Sequence, residues 1–321
     1  MNPRLFTFVL AAVFAFLASG VRLRAQAASP PPSGATTNQL QTVLDSAIQT
    51  PLAKFSPQKL ETNQLAATLI DLRVPAHLIN ASYRGDAQIY PASVVKLFYL
   101  VAAHRWLEDG RLQDTDELRR ALRDMIVESY NEATHYVLDL LTATTSGPEL
   151  SANELAVWQD KRNVVNRYFT SLGYTNINAN KKPWCEGPYG RETQANKQFQ
   201  PNRNLLTTDA AARLLAEIAT GRAVSTERSR VMMKLLERDP FSTTNDPEDQ
   251  AHGFTGIVLP TGAKLWSKAG WTSQSRHDAA YIELPSGAKF VLVTFTTAHA
   301  TEREIIPTVA RAVLAGLSSV K

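Results

Sequence analysis

The chain has 321 residues, 44% of them hydrophobic, and a formal charge of +4, enough apolar material for one large domain or two intertwined lobes. Arg4, Arg22 and Arg24 carry three of those charges with no acid in residues 1–27, so 4 − 3 leaves +1 for the rest, and with no lysine or arginine run no nucleic-acid partner is expected. A lone cysteine, Cys185, excludes an internal disulfide, and six histidines without a His-x-x-x-His pair give no reason to expect a metal or other cofactor.

Residues 1–27 read as a signal peptide. Arg4 precedes an apolar run over 5–19, and Ala25-Gln26-Ala27 offers a small-x-small cleavage site. The run is short for a membrane span. Export to the periplasm or the exterior, with no stable span after cleavage, is the expectation. Residues 28–37 are rich in Ser, Pro, Gly and Thr and read as a disordered leader. One domain is expected over 38–321, and a monomer.

Helical spacing at Leu40, Val43, Leu44 and Ile48 ends at Pro51, and strand-like runs follow over 66–72 and 78–83. A helix from Ser93 to Glu108 stops at Gly110. Helices are expected over 116–127, 132–141 and 152–172, the last stopping at Gly173. Residues 176–203 read as a long polar loop with Trp184, Tyr189 and Phe199 as anchors, and a loop of that length is usually functional. Helices over 208–220 and 225–238, a polar loop over 241–253, strands over 265–270, 278–284 and 289–296, and a helix over 302–317 complete the chain. Pro307 predicts a kink or a later start in that last helix.

This order predicts an α/β (α+β) fold. One antiparallel sheet is built from both chain ends and flanked by the terminal helices, and a helical lobe over about 92–240 comes from the middle. A pocket is expected between lobes.

The chemistry is expected at Ser93-Val94-Val95-Lys96. Residues three apart share a helix face, so a hydroxyl and an amine meet at the start of an apolar helix. Desolvation there lowers the lysine pKa and lets a neutral amine take the serine proton. Ser-x-x-Lys also occurs at 56–59 and 286–289, but Pro57 interrupts the first and the other lies across a turn. A helix cap with a snorkelling lysine is the bland alternative. Ser129-Tyr130-Asn131 falls between two helices, where Ser129 could carry a proton and Asn131 could hold an amide. Lys268-Ala269-Gly270-Trp271 ends a strand. Gly270 permits close approach of a substrate backbone, the Trp271 and Ser93 amides could form an oxyanion hole, and Lys268 with Arg276 would draw a carboxylate.

In this order the motifs resemble the class A β-lactamases and related active-site serine hydrolases, including penicillin-binding-protein-like transpeptidases. The flanking Met125-Ile126-Val127-Glu128, Asn131-Glu132-Ala133-Thr134, Leu206-Thr207-Thr208-Asp209 and His277-Asp278-Ala279-Ala280 match too. The resemblance covers roughly 38–318. It implies Ser93 as acylated nucleophile, Lys96 as base, Ser129 as proton carrier to the leaving nitrogen, and Asn131 on the substrate amide and Lys96. It implies Lys268 and Arg276 on the substrate carboxylate, Glu192 as activator of the deacylating water, and Asn196 as that water's second holder, with Glu186 as the competing loop acid. The sequence departs from the family pattern at Tyr130 and Ala269, and Trp271 is expected to narrow the pocket.

The leading expectation is a secreted serine hydrolase acting on small β-lactams. The alternatives are a D,D-peptidase or penicillin-binding protein acting on peptidoglycan-like substrate, a serine hydrolase for another amide or ester, and a non-catalytic cell-wall or antibiotic-binding domain.

Overall fold

The structure, a computed structural model, describes residues 34–319 except positions 245 and 247. The expected signal peptide and residues 28–33 lie outside the described residues. Positions 34–37, expected to be disordered, form the first turn of α1 (Gly34–Lys54), which also continues past Pro51. Pro51 sits in the last turn, where its missing N–H removes only one bond before the helix ends.

The strands are β1 (Leu65–Asp71), β2 (Ile79–Tyr83), β3 (Glu237–Arg238), β4 (Lys264–Trp271), β5 (Ser275–Glu283) and β6 (Lys289–Thr297). They form one antiparallel sheet in the order β2-β1-β6-β5-β4-β3. Alternation assigns the two faces. On β6, Phe290 and Leu292 join the core under α1 and α10 (Ile305–Ser319), and Val291, Val293 and Phe295 join the core of the helical lobe. On β5, Ala280 and Ile282 go one way and Ala279 and Tyr281 the other. With helices on both faces, neither row of side chains meets water, which explains the near-continuous apolar runs. β3 was expected as the tail of a helix; it pairs instead with Leu265 and Trp266. α10 starts three residues later than expected, placing Pro307 in the first turn, where a missing N–H costs nothing.

The lobe comprises α2 (Lys96–Glu108), α3 (Asp116–Arg123), α4 (Asn131–Thr142), α5 (Ala152–Arg162), α6 (Val164–Ser171), α7 (Gly190–Gln198), α8 (Thr208–Ala219) and α9 (Thr226–Leu236). The single helix expected over 152–172 is broken at Asn163, whose Oδ1 accepts from Asn166 Nδ2 at 3.2 Å and Asn180 Nδ2 at 2.5 Å. The polar stretch 176–203 is not wholly a loop. It contains α7, whose Ala195 packs on Leu155 and Trp158 of α5, with Phe199 alongside. Among the described residues no helix is long and apolar enough to cross a membrane.

Candidate active site

The turn that carries Ser93 is a 3₁₀ segment, Ala92–Val95, running directly into α2 rather than α-helix from its first residue. Two contacts fix it. His277 lies on β5; its Nδ1 accepts from the Thr296 amide at 3.2 Å, so its Nε2 carries the proton and donates to Tyr90 O at 2.8 Å. Burial keeps that ring neutral, with a pKa pushed down to about 4. On the neighbouring strand, a Cβ at Gly270 would stand 2.6 Å from Ser93 N, 2.9 Å from Pro91 O and 2.9 Å from Val94 N. The close approach that glycine permits here is therefore of the Ser93 turn itself. Ser93 is half-buried at the mouth of this arrangement.

Four further motif residues, Lys96, Ser129, Asn131 and Lys268, converge on one another. Lys96, fully buried, donates from Nζ to Ser129 O at 2.5 Å and to Asn131 Oδ1 at 2.9 Å, and lies 3.3 Å from Ser129 Oγ. Ser129 follows a π turn over Asp124–Glu128 and adopts φ 60°, which presents both its carbonyl and its hydroxyl to the lysine. From the other side Lys268, also fully buried, reaches Ser129 Oγ at 2.9 Å. Ser129 Oγ thus stands between two amines.

Two cations so close in an apolar setting disfavour each other's charge. Burial lowers the Lys96 pKa to about 7, with Cys185 and Glu132 partly opposing. Burial, then Lys96 and Arg238, hold Lys268 well below the usual lysine range, against the pull of Asp278. A base works in its neutral form, so with Lys96 in the role expected of it, protonation would remove activity. Acylation at Ser93 is expected to rise with pH, with a midpoint near 7, and to fall about tenfold per unit on the acid side. Initial rates of covalent labelling across pH 5 to 9 check this, and a flat profile would contradict it.

The remaining expected site residues have other partners. Glu192, on α7 and buried, accepts from Arg162 Nη2 at 2.6 Å and Ser146 Oγ at 2.8 Å, with Lys182 Nζ at 3.8 Å. None of these belongs to the Ser93, Lys96, Ser129 and Lys268 group, and the acid that bears on Lys96 is Glu132. Asn196 follows one turn later on α7, its Oδ1 buried without a partner among the described residues, and Glu186 is exposed. Trp271 and Arg276 lie opposite each other in the β4–β5 register, on the face of Ala269 and not that of Lys268 and Gly270. The Trp271 ring packs 5.7 Å from Phe254, so it does not narrow the space in front of Ser93. The Arg276 guanidinium stacks on Phe254 at 4.0 Å and donates to Glu248 Oε2 and Gly253 O, both at 2.7 Å. Its charge is already met by a carboxylate, which any substrate anion would have to displace.

Over residues 61–317 the sequence matches the model of the beta-lactamase enzyme family. The chain belongs to that family. No curated protein matches it. The solved structures it resembles include a β-lactamase from Sphaerobacter thermophilus, at 21% identity and TM-score 0.62 over 86% of this chain and 98% of the other. A β-lactamase from Chitinophaga pinensis follows at 17% identity and TM-score 0.59 over 87% and 99%. PBP-A matches at 18% and TM-score 0.58 over 88% and 97%. A mutant of PBP-A has been solved as an acyl-enzyme complex with penicillin G. At these identities the likeness is one of fold.

This β-lactamase-family site also contains two residues that the sequence did not flag. Gln250, in the polar loop before β4, accepts from Lys268 Nζ at 2.6 Å. Cys185 Sγ accepts from the amide Nδ2 of Asn131 at 3.2 Å, while remaining exposed. Neither has a neighbour in sequence whose spacing marks it; both reach the site across loops more than fifteen residues long.

Proposed function

We propose that the protein is an exported, monomeric serine hydrolase that opens β-lactam rings through an acyl-enzyme on Ser93, without a metal or other cofactor. The observation that carries this reading is the chain Lys96–Ser129–Lys268, with Asn131 on Lys96, beside the turn bearing Ser93. Neutral Lys96 takes the Ser93 hydroxyl proton as Oγ bonds to the carbonyl carbon. The carbonyl electron pair moves onto oxygen, and the amides at the Ser93 turn and the β4 end support that charge. On collapse the carbon–nitrogen bond breaks. Ser129 gives its proton to the leaving nitrogen and is reprotonated by the Lys96 ammonium, which restores the neutral amine. Water then releases the acyl group.

A second reading has the support of one specific observation. Glu192, the water activator that the family pattern would supply, is held by Arg162 and Ser146. An enzyme that acylates readily and deacylates slowly, as a peptidoglycan D,D-peptidase or penicillin-binding protein would, fits that arrangement. A chromogenic cephalosporin separates the two. Steady colour abolished by Ser93→Ala supports the β-lactamase reading, a single stoichiometric burst supports the slow-release reading, and no colour at all contradicts both.

A further inference from the structure

Gln250 makes four polar contacts that leave no freedom in how its amide is turned. Its Oε1 accepts from the Ala269 amide at 3.1 Å, and an N–H can only donate. Its Nε2 donates to Val127 O at 2.8 Å and Ile126 O at 3.3 Å, and carbonyls can only accept. The oxygen therefore faces β4, where Lys268 Nζ lies 2.6 Å away. Through these contacts one buried side chain ties the segment that leads into Ser129 to the strand that carries Lys268.

The consequence falls on Lys268. Its nitrogen has three partners: Gln250 Oε1, Ala269 O at 2.8 Å and Ser129 Oγ at 2.9 Å. The first two accept only. A neutral amine has two N–H groups and one lone pair, so both hydrogens go to Gln250 and Ala269 and the lone pair is left for Ser129. In that neutral form Ser129 Oγ–H donates to the lone pair; in the ammonium form the third N–H of Lys268 donates to Ser129 Oγ instead.

We propose that Gln250 is a positioning residue for the proton path: by accepting one N–H of Lys268, it leaves the remaining direction of that amine for Ser129 Oγ. This rests on the serine hydrolase reading, in which Ser129 relays a proton. The charged and titratable groups that bear on Lys268 are Lys96 at the start of α2, Arg238 on β3 and Asp278 on β5. Gln250 is neutral and lets Lys268 lose its proton, whereas a carboxylate in its place would hold the ammonium and turn an N–H onto Ser129.

The test uses the full-length protein with [ε-¹³C]lysine, in wild type, Gln250→Glu and Gln250→Met. The ¹³C titration of Lys268 needs no substrate. The Lys268 midpoint is expected to rise by more than one pH unit in Gln250→Glu. It is expected to change in Gln250→Met as well, so if one variant fails to fold the other decides. Acylation by a chromogenic cephalosporin should slow at least tenfold in both, with the rise in the rate–pH profile displaced upward in Gln250→Glu only. An unchanged Lys268 titration in a folded variant would overturn the proposal, as would unchanged rates and pH profiles beside an acylated wild type. A wild type that is never acylated would defeat the hydrolase reading, while the Lys268 titration would still decide for or against Gln250.

Discussion

Lys96→Ala slows acylation of Ser93 by about 10²–10⁴-fold, the range typical of losing a positioned general base. Few substitutions could be more disruptive to this chemistry. The side chain is fully buried, and its amine is held on Ser129 O and Asn131 Oδ1. With the hydrogens of the neutral form engaged there, its lone pair is free for a proton. Lys96→Arg is expected to lose as much, because a guanidinium keeps its charge at all working pH and cannot act as base. Time courses of covalent labelling by a penicillin, read by intact mass, give both numbers. Labelling of Lys96→Ala at the wild-type rate would remove the lysine from the mechanism. The bland reading, in which Ser93 caps a helix and the lysine merely snorkels, predicts that small effect; the contacts of Lys96 favour the other outcome.

The second large effect is on stability. Arg162→Leu is expected to destabilise the fold by about 3–5 kcal/mol, because it leaves a buried carboxylate without its partner. Arg162 and Glu192 have side-chain exposures of 1% and 3%. The arginine also reaches Asp139 Oδ1 at 3.1 Å and Thr144 Oγ1 at 2.6 Å, and stacks on Trp158 at 4.5 Å. Lys182 at 3.8 Å from Glu192 compensates only in part. For a domain of this size the loss corresponds to a fall in Tm of roughly 10 °C. The double variant Arg162→Leu with Glu192→Leu should recover most of it, since removing both charges removes the unpaired one. Thermal unfolding of the two variants checks this. If Arg162→Leu melts with the wild type, the pair does not hold α7 in place, and Glu192 would be free for the role that the family pattern gives it.

These two substitutions also mark where the sequence was readable. The sheet was legible because both of its faces are covered. Runs such as 290–293 are apolar at every position, and their turns carry Gly and Pro. Lys96, Ser129, Asn131 and Lys268 were legible because three short motifs fix their spacing, and folding brings all four side chains together. Glu192 and Asn196 were legible only as a spacing of four on a helix that the polar composition of 176–203 concealed. What Glu192 touches depends on Arg162, thirty residues earlier, and no local pattern encodes such a pairing. The same holds for Arg276. Its charge suggested a substrate anion, but Glu248 meets it first. Trp271 illustrates the role of strand parity: one residue past Gly270, it faces the opposite side of the sheet. Gln250 and Cys185 were missed because an uncharged amide and a lone thiol carry no signal until the neighbours they meet are known.

Folding is expected to make the Ser93 hydroxyl a nucleophile. Brief exposure of the protein to a penicillin, followed by intact mass and peptide mapping, tests this. The expected result is a single adduct of the antibiotic's mass on the peptide carrying Ser93, absent from Ser93→Ala. An unchanged mass with reagent of proven activity, or an adduct on any other residue, would contradict it.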